Sequence, residues 1–207
     1  MEPTLLATKT ELRSTALRQR REQQDRHAVS QRILDRLFAS KTYQTSRTIL
    51  FYVGVRSEVG TLDHVARALG DGKNVFVPLC DADQLRLFQL KSLEELTPGT
   101  YGIPEPSPSV RTLVDRMGSI DEVELAVVPG VAFGKDGSRL GNGRGYYDRL
   151  FRAITGPTVR VGVAFECQIF ESLPMNDHDI WMDAIVTESA IYGPNRRLFE
   201  SLEAGQQ

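Results

Sequence analysis

The chain has 207 residues, 41% of them hydrophobic and 25% charged, so it can bury a core of the size found in ordinary globular proteins. Its 25 basic and 27 acidic residues leave a formal net charge of −2, which argues against nucleic acid and an anionic membrane surface as partners. Two distant cysteines, no signal peptide at the N-terminus and no apolar run near ~18 residues predict a cytoplasmic protein without a membrane span.

The cysteines and histidines form no catalytic or metal-binding pattern. Cys80 and Cys167 each border an apolar run, which is typical of packed thiols. The three histidines lack the spacing of a metal site or of a catalytic triad. Function is therefore expected to rest on other residue types.

The N-terminal region is predicted to be helical from Lys9 to about Ser40. Apolar residues recur there at helical spacing in two sets separated by a polar stretch, which predicts two helices or one interrupted helix. The first set is basic, and one interpretation is a solvated helix face. The other is that Lys9 and Arg13, four residues apart on one face, present two cations to one polyphosphate.

Short apolar strands then alternate with helices. The first strand, Thr48 to Val53, leads through a polar loop to a helix that Thr61 caps. A segment rich in proline and glycine, Pro98 to Pro106, is predicted to be a loop. The remaining strands are predicted at residues 74–79, 85–90 (antiparallel to its predecessor), 124–129, 159–165 and 181–186.

This alternation predicts one α/β domain over residues 1–207, with three layers and a mostly parallel sheet. Residues 1–40 form its N-terminal helical segment and residues 193–207 a peripheral tail, and a monomer is expected. The loops after Val53 and Val128 both leave the carboxyl ends of strands, so we expect them to face one ligand crevice.

The most informative stretch is Val127 to Phe151. An apolar run ends in Pro129-Gly130, and alternating glycines then precede a predicted helix of about ten residues: Gly141, Gly143 and Gly145. Glycines let backbone amides face an anion directly, and Arg139 and Arg144 add positive charge beside them. The spacing matches neither the Walker motif nor the dinucleotide fingerprint. We interpret it as a phosphate-binding loop of another kind.

Each feature of this stretch also has a simpler interpretation. The glycines alone would fit a tight structural turn. Asp148, one turn into the helix, could offset the helix dipole or hold magnesium through a hard oxygen. Tyr147 falls on the core face of the helix, whereas Tyr146 points elsewhere and could stack on a flat heterocycle or donate a hydrogen bond.

The residues from Val128 to Arg149 read V-P-G-V-A-F-x-K-D-G-x-R-L-G-x-G-x-G-Y-Y-D-R. This closely resembles the hallmark motif of the 5-formyltetrahydrofolate cyclo-ligase family, also called methenyltetrahydrofolate synthetases. Four shorter elements resemble the family in the same order over nearly the whole chain: K-x-x-L-R from Lys9, E-[VI]-x-T from Glu58, G-I-x-E-P from Gly102 and A-F-E-C-Q from Ala164.

The resemblance implies an enzyme that uses ATP and Mg²⁺ to convert 5-formyltetrahydrofolate, a reduced folate, to 5,10-methenyltetrahydrofolate with release of ADP and phosphate. ATP would phosphorylate the formyl oxygen, the N10 amine would close the ring, and phosphate would leave. Such chemistry needs positioning and charge neutralisation more than acid–base residues. The resemblance also implies a fold akin to the ribose-5-phosphate isomerase and CoA-transferase group.

Carried over position by position, the resemblance assigns roles to individual residues. Arg144 would be catalytic, neutralising charge in the transferring phosphoryl group, and Mg²⁺ would be held by Asp148 and Asp183. ATP contacts fall to Lys9, Arg13, Arg139, Leu140, Gly141, Asn142, Gly143, Arg144, Gly145, Tyr146 and Tyr147. Folate contacts fall to Val55, Glu58, Gly60, Asn142 and Tyr146.

Two positions depart from the family pattern. Gly60 stands where E-[VI]-x-T usually has an acidic residue taken to bind folate, and Gly134 stands where Asp often follows V-A-F. Two alternatives therefore stay open: an ATP-dependent enzyme with another formyl or carboxyl substrate, and a non-catalytic module that binds folate or nucleotide. Retention of the charged set around the glycines favours an enzyme.

Overall fold

The structure is a computed structural model that describes residues 8–81, 84–99 and 102–199. Its helices are, in chain order, α1 (Lys9–Glu22), α2 (Arg26–Phe38), α3 (Lys41–Thr45), α4 (Leu62–Gly70), α5 (Pro108–Arg111) and α6 (Tyr146–Arg152). Its strands are β1 (Thr48–Phe51), β2 (Asn74–Asp81), β3 (Gln84–Leu90), β4 (Leu96–Pro98), β5 (Pro104–Pro106), β6 (Met117–Gly118), β7 (Leu125–Val128), β8 (Ala132–Gly134), β9 (Arg139–Leu140), β10 (Val159–Val163), β11 (Ile169–Phe170), β12 (Ala184–Val186) and β13 (Ile191–Tyr192).

An eight-stranded sheet forms the centre of the molecule, in the order β13-β12-β10-β7-β1-β2-β3-β6. The pairs β12–β10, β10–β7, β7–β1 and β1–β2 are parallel. Antiparallel strands complete both edges, β13 at one and β3 with β6 at the other. The predicted mostly parallel sheet is confirmed, and so is the antiparallel β3.

Alternate residues of the central strands face opposite sides of this sheet, which produces two large cores. On one side, Ile49 and Phe51 belong to a core that includes Ile33 of α2 and Val65 of α4. On the other, Leu50 belongs to a core that includes Phe151 of α6. Helices therefore cover both faces, and the predicted three layers are confirmed.

The N-terminal region forms two helices, α1 and α2, which resolves the choice left open by the sequence. Helix α1 starts with a capping box between Thr8 and Glu11. Its apolar residues, with Ala16 fully buried, pack on a small second sheet of order β11-β8-β9. This arrangement brings α1 to the stretch that carries the alternating glycines.

Several local predictions are wrong. The segment predicted as loop from Pro98 contains strand β5, which pairs with β4 as a hairpin. The strands β8, β9 and β11 were not predicted, because each has only two or three residues. Helix α6 has seven residues instead of about ten. Cys80 is exposed at the end of β2 instead of being packed.

Thr61 occupies the N-cap position of α4 as predicted, but its side chain does not cap that helix. Its hydroxyl donates to the carbonyl of Tyr52 at 2.7 Å and accepts from the amide of Gly54 at 3.0 Å. These bonds tie the two ends of residues 54–61, which we call the β1 loop. The β1 loop therefore has a fixed base at the carboxyl end of β1.

The tail can be followed only in part. A short 3-10 turn, Arg196–Phe199, buries Phe199 in the core shared with α2 and α4, and residues 200–207 lie outside the described part of the chain. Among the described helices, none combines the length and apolarity needed to cross a bilayer.

Candidate active site at the carboxyl ends of the parallel strands

Residues 139–145, which we call the glycine loop, have a backbone that depends on glycine. Gly143 and Gly145 adopt φ angles of 92° and 65°, in the left-handed region that side chains disfavour. Gly145 is also the N-cap residue of α6. Because α6 is short, its dipole adds less to anion binding than the sequence suggested, and the exposed loop backbone and its arginines matter more.

Arg139 anchors the glycine loop from below. Its side chain is 3% exposed, and its guanidinium donates to the Pro129 carbonyl at 3.2 Å and to Oδ1 of Asp148 at 3.0 Å. Its Nε is buried and has no hydrogen-bond partner within the described residues. Leu140 is also buried and packs with Ala16 of α1. Arg139 and Leu140 therefore shape the loop from inside and do not line its surface.

Helix α1 lies against the glycine loop through one face. Nε of Arg13 donates to the carbonyl of Gly141 at 2.8 Å. A Cβ on Gly143 would lie 3.9 Å from Cζ of the same guanidinium. Lys9, one turn earlier, forms an ion pair with Asp179. The interpretation of these two cations as part of a solvated face is wrong, because both are partly buried beside the loop.

Asp148 and Asp179 are carboxylates on two neighbouring segments, and Asp148 also accepts from Arg139. Oδ1 of Asp148 accepts from the amide of Ile180, the residue after Asp179, at 3.1 Å. Burial opposes ionisation of Asp179, but the Lys9 ammonium, the amide of Asn176 and the charge of Arg139 together hold the pKa of Asp179 below its ordinary value. The side chain of Asp148 is 20% exposed and that of Asp179 is 15% exposed, so both carboxylates are largely shielded from solvent.

Asp183, predicted as the partner of Asp148, has a different environment. Its Oδ2 accepts from the amide and from Nε of Arg160 at 2.9 and 3.1 Å, and its Oδ1 accepts from Asn195 at 2.9 Å. Arg160 lies near the start of β10, whereas the crevice lies at the strand ends. The carboxylate on the segment that bonds to Asp148 is Asp179, because the amide of the next residue, Ile180, donates to Oδ1 of Asp148.

The exposed side chains of the glycine loop are Asn142 and Arg144. Partial desolvation of the Cys80 thiol at the end of β2 raises its pKa, the charge of Glu105 raises it further, and the charge of Arg144 opposes this rise. Tyr146 is half-buried, and the Arg149 guanidinium lies 5.2 Å from the centre of its ring. One face of Tyr146 is thus stacked on a cation within the chain.

Tyr147 belongs to both cores, as its helical position predicted. Burial raises the pKa of its hydroxyl, and the charge of Glu58 raises that pKa further. Tyr147 packs against the core that includes Val59, a residue of the β1 loop. Glu58 belongs to the β1 loop. The glycine-loop helix and the β1 loop therefore face one crevice, as the topology predicted.

Glu58 is a half-buried carboxyl with a raised pKa. Burial is the main cause, and the amide of Val55, which donates to Oε2 at 3.2 Å, and the charges of Arg20 and Arg56 oppose it. The amide of Glu58 in turn donates to the Val55 carbonyl at 3.0 Å. Val55 is itself half-buried. A partly desolvated carboxyl with a raised pKa, beside a predicted crevice, is a candidate ligand-binding group.

Gly60 and Gly134 lie in different surroundings. Gly60 is exposed, its amide donates to Oγ of Ser30 at 3.0 Å, and an added Cβ would point at that serine of α2 from 3.8 Å. At Gly134 an added Cβ would overlap Oγ of Ser138 and Oδ1 of Asp136. Gly134 is therefore required by packing, whereas Gly60 is open and directed at α2 instead of at Glu58.

Sequence reasoning missed Arg20, which is 6% exposed in α1. Its Nε donates to Oγ of Ser57 at 3.1 Å and its Nη1 to the Gly130 carbonyl at 3.3 Å. A signal was available, because Arg20 lies seven residues after Arg13 and eleven after Lys9, on the same helical face. Within the described residues, no group of three or more acidic, histidine or cysteine side chains forms a metal site.

The sequence matches the 5-formyltetrahydrofolate cyclo-ligase family over residues 6–188, which is most of the chain. The chain belongs to this family. A probable 5-formyltetrahydrofolate cyclo-ligase of Schizosaccharomyces pombe is 31% identical over 72% of this chain and 78% of its own length. The 5-formyltetrahydrofolate cyclo-ligase of Escherichia coli K12 is 27% identical over 85% of this chain and 98% of its own length.

A solved structure agrees with this membership. The NMR structure of the Aquifex aeolicus 5,10-methenyltetrahydrofolate synthetase is 31% identical, with a TM-score of 0.77 over 89% of this chain and 92% of that one. The cyclo-ligase resemblance carried by the sequence motifs is therefore confirmed at the level of family and fold.

Proposed function

We propose that this cyclo-ligase family member converts 5-formyltetrahydrofolate to 5,10-methenyltetrahydrofolate with hydrolysis of ATP to ADP and phosphate. The observation that carries the proposal is that the glycine loop and the β1 loop lie together at the carboxyl ends of the parallel strands. The glycine loop is braced by Arg13 and Arg139, and the β1 loop lies at the same edge, where Arg20 joins Ser57 to the Gly130 carbonyl that follows β7. We call the glycine-loop side of the crevice the polyphosphate wall and the β1-loop side the acidic wall. Together they suit two substrates bound side by side.

The polyphosphate wall consists of backbone amides of residues 141–145 with Arg144 and Arg13 beside them. Arg144 is exposed and extends from the glycine loop, so it is the residue we assign to charge neutralisation of the transferring phosphoryl group. Arg13 holds the loop through Gly141 and has further N–H groups that suit phosphate oxygens. The buried, unpartnered Nε of Arg139 fits a site completed by a ligand or ordered water.

The residues present fit Mg²⁺ bound through two carboxylates. The bonds of Asp148 to Arg139 and Ile180 use Oδ1, and those of Asp179 to Lys9 and Asn176 use Oδ2, while Oδ1 of Asp179 lies 4.0 Å from Nε2 of His178. Mg²⁺ is commonly held by one or two carboxylates together with substrate phosphates, and it would neutralise phosphate charge here. We therefore assign the metal to Asp148 and Asp179, in place of the pair Asp148 and Asp183.

The acidic wall suits the pterin ring of a reduced folate, which presents N–H groups along one edge. Glu58 accepts the amide of Val55 through Oε2 and is the carboxyl on the crevice side of the β1 loop. Val55 and Tyr146 supply apolar surface, and Asn142 supplies an amide at the border between the two walls. In the reaction, the formyl oxygen takes the terminal phosphoryl group, N10 attacks the activated carbon, and phosphate leaves as the ring closes.

The test is direct. Purified protein with 5-formyltetrahydrofolate, ATP and Mg²⁺ is expected to produce the methenyl absorbance together with one ADP per turnover. Omitting ATP or adding a chelator should abolish the signal. A folded protein, verified by circular dichroism, that gives no methenyl product at any substrate concentration would overturn the proposal. An ATPase screen over pterins and small formyl compounds would then identify another substrate.

The cytoplasmic location and the monomeric state of the protein stay predictions.

A further inference from the structure

Arg20 occupies a position between three loops of the crevice. Its guanidinium bonds to Ser57 in the β1 loop and to the carbonyl of Gly130, which follows β7. Nε2 of Gln168 donates to the same Gly130 carbonyl at 3.1 Å and to the Val131 carbonyl at 2.9 Å. Gln168 follows β10, so loops from the carboxyl ends of β1, β7 and β10 meet around this one arginine.

The base of the β1 loop does not depend on Arg20. The hydroxyl of Tyr52 donates to the Val59 carbonyl at 2.9 Å, and the amide of Gly60 donates to Ser30. Together with Thr61, these bonds hold the ends of the loop. Arg20 contacts the tip of the β1 loop at Ser57, the residue before Glu58. Loss of Arg20 is therefore expected to loosen the tip and to leave the loop attached at both ends.

Arg20 is also the last member of a single stripe on α1. Lys9 contacts the loop of Asp179, Arg13 contacts the glycine loop, and Arg20 contacts the β1 loop. One rigid helix thus touches both walls at fixed spacing. Lys9 and Arg13 make the contacts on the side proposed for ATP, and Arg20 makes the contact on the side proposed for folate.

We propose that Arg20 is a positioning residue for folate recognition, which fixes Glu58 and the tip of the β1 loop against the Gly130 backbone. The proposal rests on the function proposed above. The fork of a guanidinium suits this task, because it reaches a hydroxyl and a carbonyl at once, whereas an ammonium is a point donor. Among the residues that the structure describes, no carboxylate forms an ion pair with the buried Arg20 guanidinium, so its hydrogen bonds to Ser57 and Gly130 must offset the cost of burying its charge.

The experiment compares Arg20→Met and Arg20→Lys with Arg21→Met, a matched control, since Arg21 is the exposed neighbour on the same helix. In Arg20→Met the KM for 5-formyltetrahydrofolate is expected to rise about tenfold, while the KM for ATP changes less than about twofold. Arg20→Lys should keep a raised folate KM, because it restores charge without the fork. Arg21→Met should match the wild type.

A second readout follows the ionisation of Glu58, which is faced by Arg20, Arg56, Tyr52 and Tyr147. Removing the positive charge of Arg20 should raise the pKa of Glu58 further. In a plot of kcat/KM for 5-formyltetrahydrofolate against pH, the fall on the acidic side should therefore move to higher pH in Arg20→Met. In Arg20→Lys it should return toward the wild-type position. A role confined to stability would leave this fall in place.

A third readout needs no turnover. Amide hydrogen exchange at residues 55–58 should accelerate in Arg20→Met, while exchange at 59–61 stays close to that of wild type. Ser57→Ala, which removes only the acceptor, should reproduce the faster exchange if Arg20→Met fails to fold. Unchanged exchange in folded variants, or equal rises in both KM values, would overturn the inference. A wild type without methenyl formation would instead overturn the proposed function.

Discussion

The glycine loop and the β1 loop face the same crevice but are held in different ways. The glycine loop is anchored from inside by Arg139 and from the side by Arg13, and two of its glycines have left-handed backbones. The β1 loop is tied at its base by hydroxyls and carries a half-buried Glu58 at its tip. One loop offers a rigid backbone to an anion, and the other offers one poised carboxyl.

This difference leads us to expect different effects of substitutions in the two loops. In the glycine loop, where we propose that ATP binds, several groups shape one backbone, so removing an exposed charge should affect chemistry more than binding. In the β1 loop, where we propose that folate binds, we expect recognition to depend on one carboxyl whose ionisation is costly, so its replacement should affect binding more than chemistry. Variants on the two sides are expected to separate into kcat effects and KM effects.

The largest effect is expected at Arg144. Arg144→Met removes a cation that we assign to the transferring phosphoryl group, so kcat should fall on the order of 10²–10³-fold with little change in the folate KM. Steady-state rates of methenyl formation measure this. Arg152→Met is the control, because Arg152 is exposed in the last turn of α6. Unchanged turnover in Arg144→Met would contradict the phosphate assignment.

A somewhat smaller effect is expected from the carboxylates. Asp179→Asn should raise the Mg²⁺ concentration for half-maximal rate by about 10–100-fold, because a metal ligand is lost. Asp183→Asn should leave that concentration unchanged and lower the unfolding temperature, because Asp183 bonds to Arg160 and Asn195. Magnesium titrations and thermal melts of both variants are the measurement. The reverse pattern would restore Asp183 as the ligand.

Glu58 tests the other wall. Glu58→Gln should raise the folate KM about tenfold and leave the ATP KM unchanged, because a charged acceptor is lost. In the wild type, the folate KM should rise as pH falls through the raised pKa of Glu58, and this dependence should be absent in the variant. Initial rates across pH measure both effects. If Glu58→Gln shows the same rise of the folate KM at low pH as the wild type, Glu58 is not the group that causes this rise.

The same residue makes an opposite prediction for stability. Because folding raises the pKa of Glu58, its contribution to stability is fully present below the ordinary value of 4.5 and is lost as pH rises through the folded pKa. At neutral pH the ionised carboxyl is therefore a cost. Glu58→Gln should unfold at a slightly higher temperature than the wild type at neutral pH, while it binds folate less well.

Much of this architecture could be predicted from the sequence. Apolar runs such as Thr48 to Phe51 and Leu125 to Val128 are buried strands, and their order in the chain identified the shared edge. The long glycine motif indicated a phosphate site because several residue types coincided within it. Short elements with little periodicity, such as β8 and β9, could not be recognised.

The part of the site in the β1 loop was harder to predict, because it depends on directions of side chains. Glu58 and Gly60 are two residues apart in one polar loop, and the sequence does not show how each is oriented. In the structure the amide of Gly60 bonds to α2, whereas the carboxylate of Glu58 accepts from the amide of Val55 within the loop, which favours Glu58 as the ligand-binding residue. Asp179 likewise became a candidate only through its ion pair with Lys9, 170 residues earlier.

The two departures from the family pattern should differ in their effect on stability. Neither glycine has a positive φ, so alanine can adopt both backbones and the space available decides the outcome. Gly134→Ala should destabilise the protein by about 1–3 kcal/mol, because its Cβ overlaps Ser138 and Asp136 and lies 3.2 Å from Cα of Ser172. Denaturant unfolding measures the difference, and a neutral Gly134→Ala would show that this turn can relax.

The smallest effects are expected at Gly60, where an added Cβ makes only ordinary van der Waals contact, 3.8 Å from Oγ of Ser30. Gly60→Ala should stabilise the protein by about 0.4–1 kcal/mol, because it restricts the unfolded chain without a clash. Gly60→Asp restores an acidic residue, but its side chain would extend toward Ser30 of α2 instead of toward Glu58. We therefore expect the folate KM of Gly60→Asp to stay within about twofold of wild type, since changes at exposed sites are worth about 0.5 kcal/mol or less. A fall of tenfold or more would mean that an acid at this position reaches the folate directly.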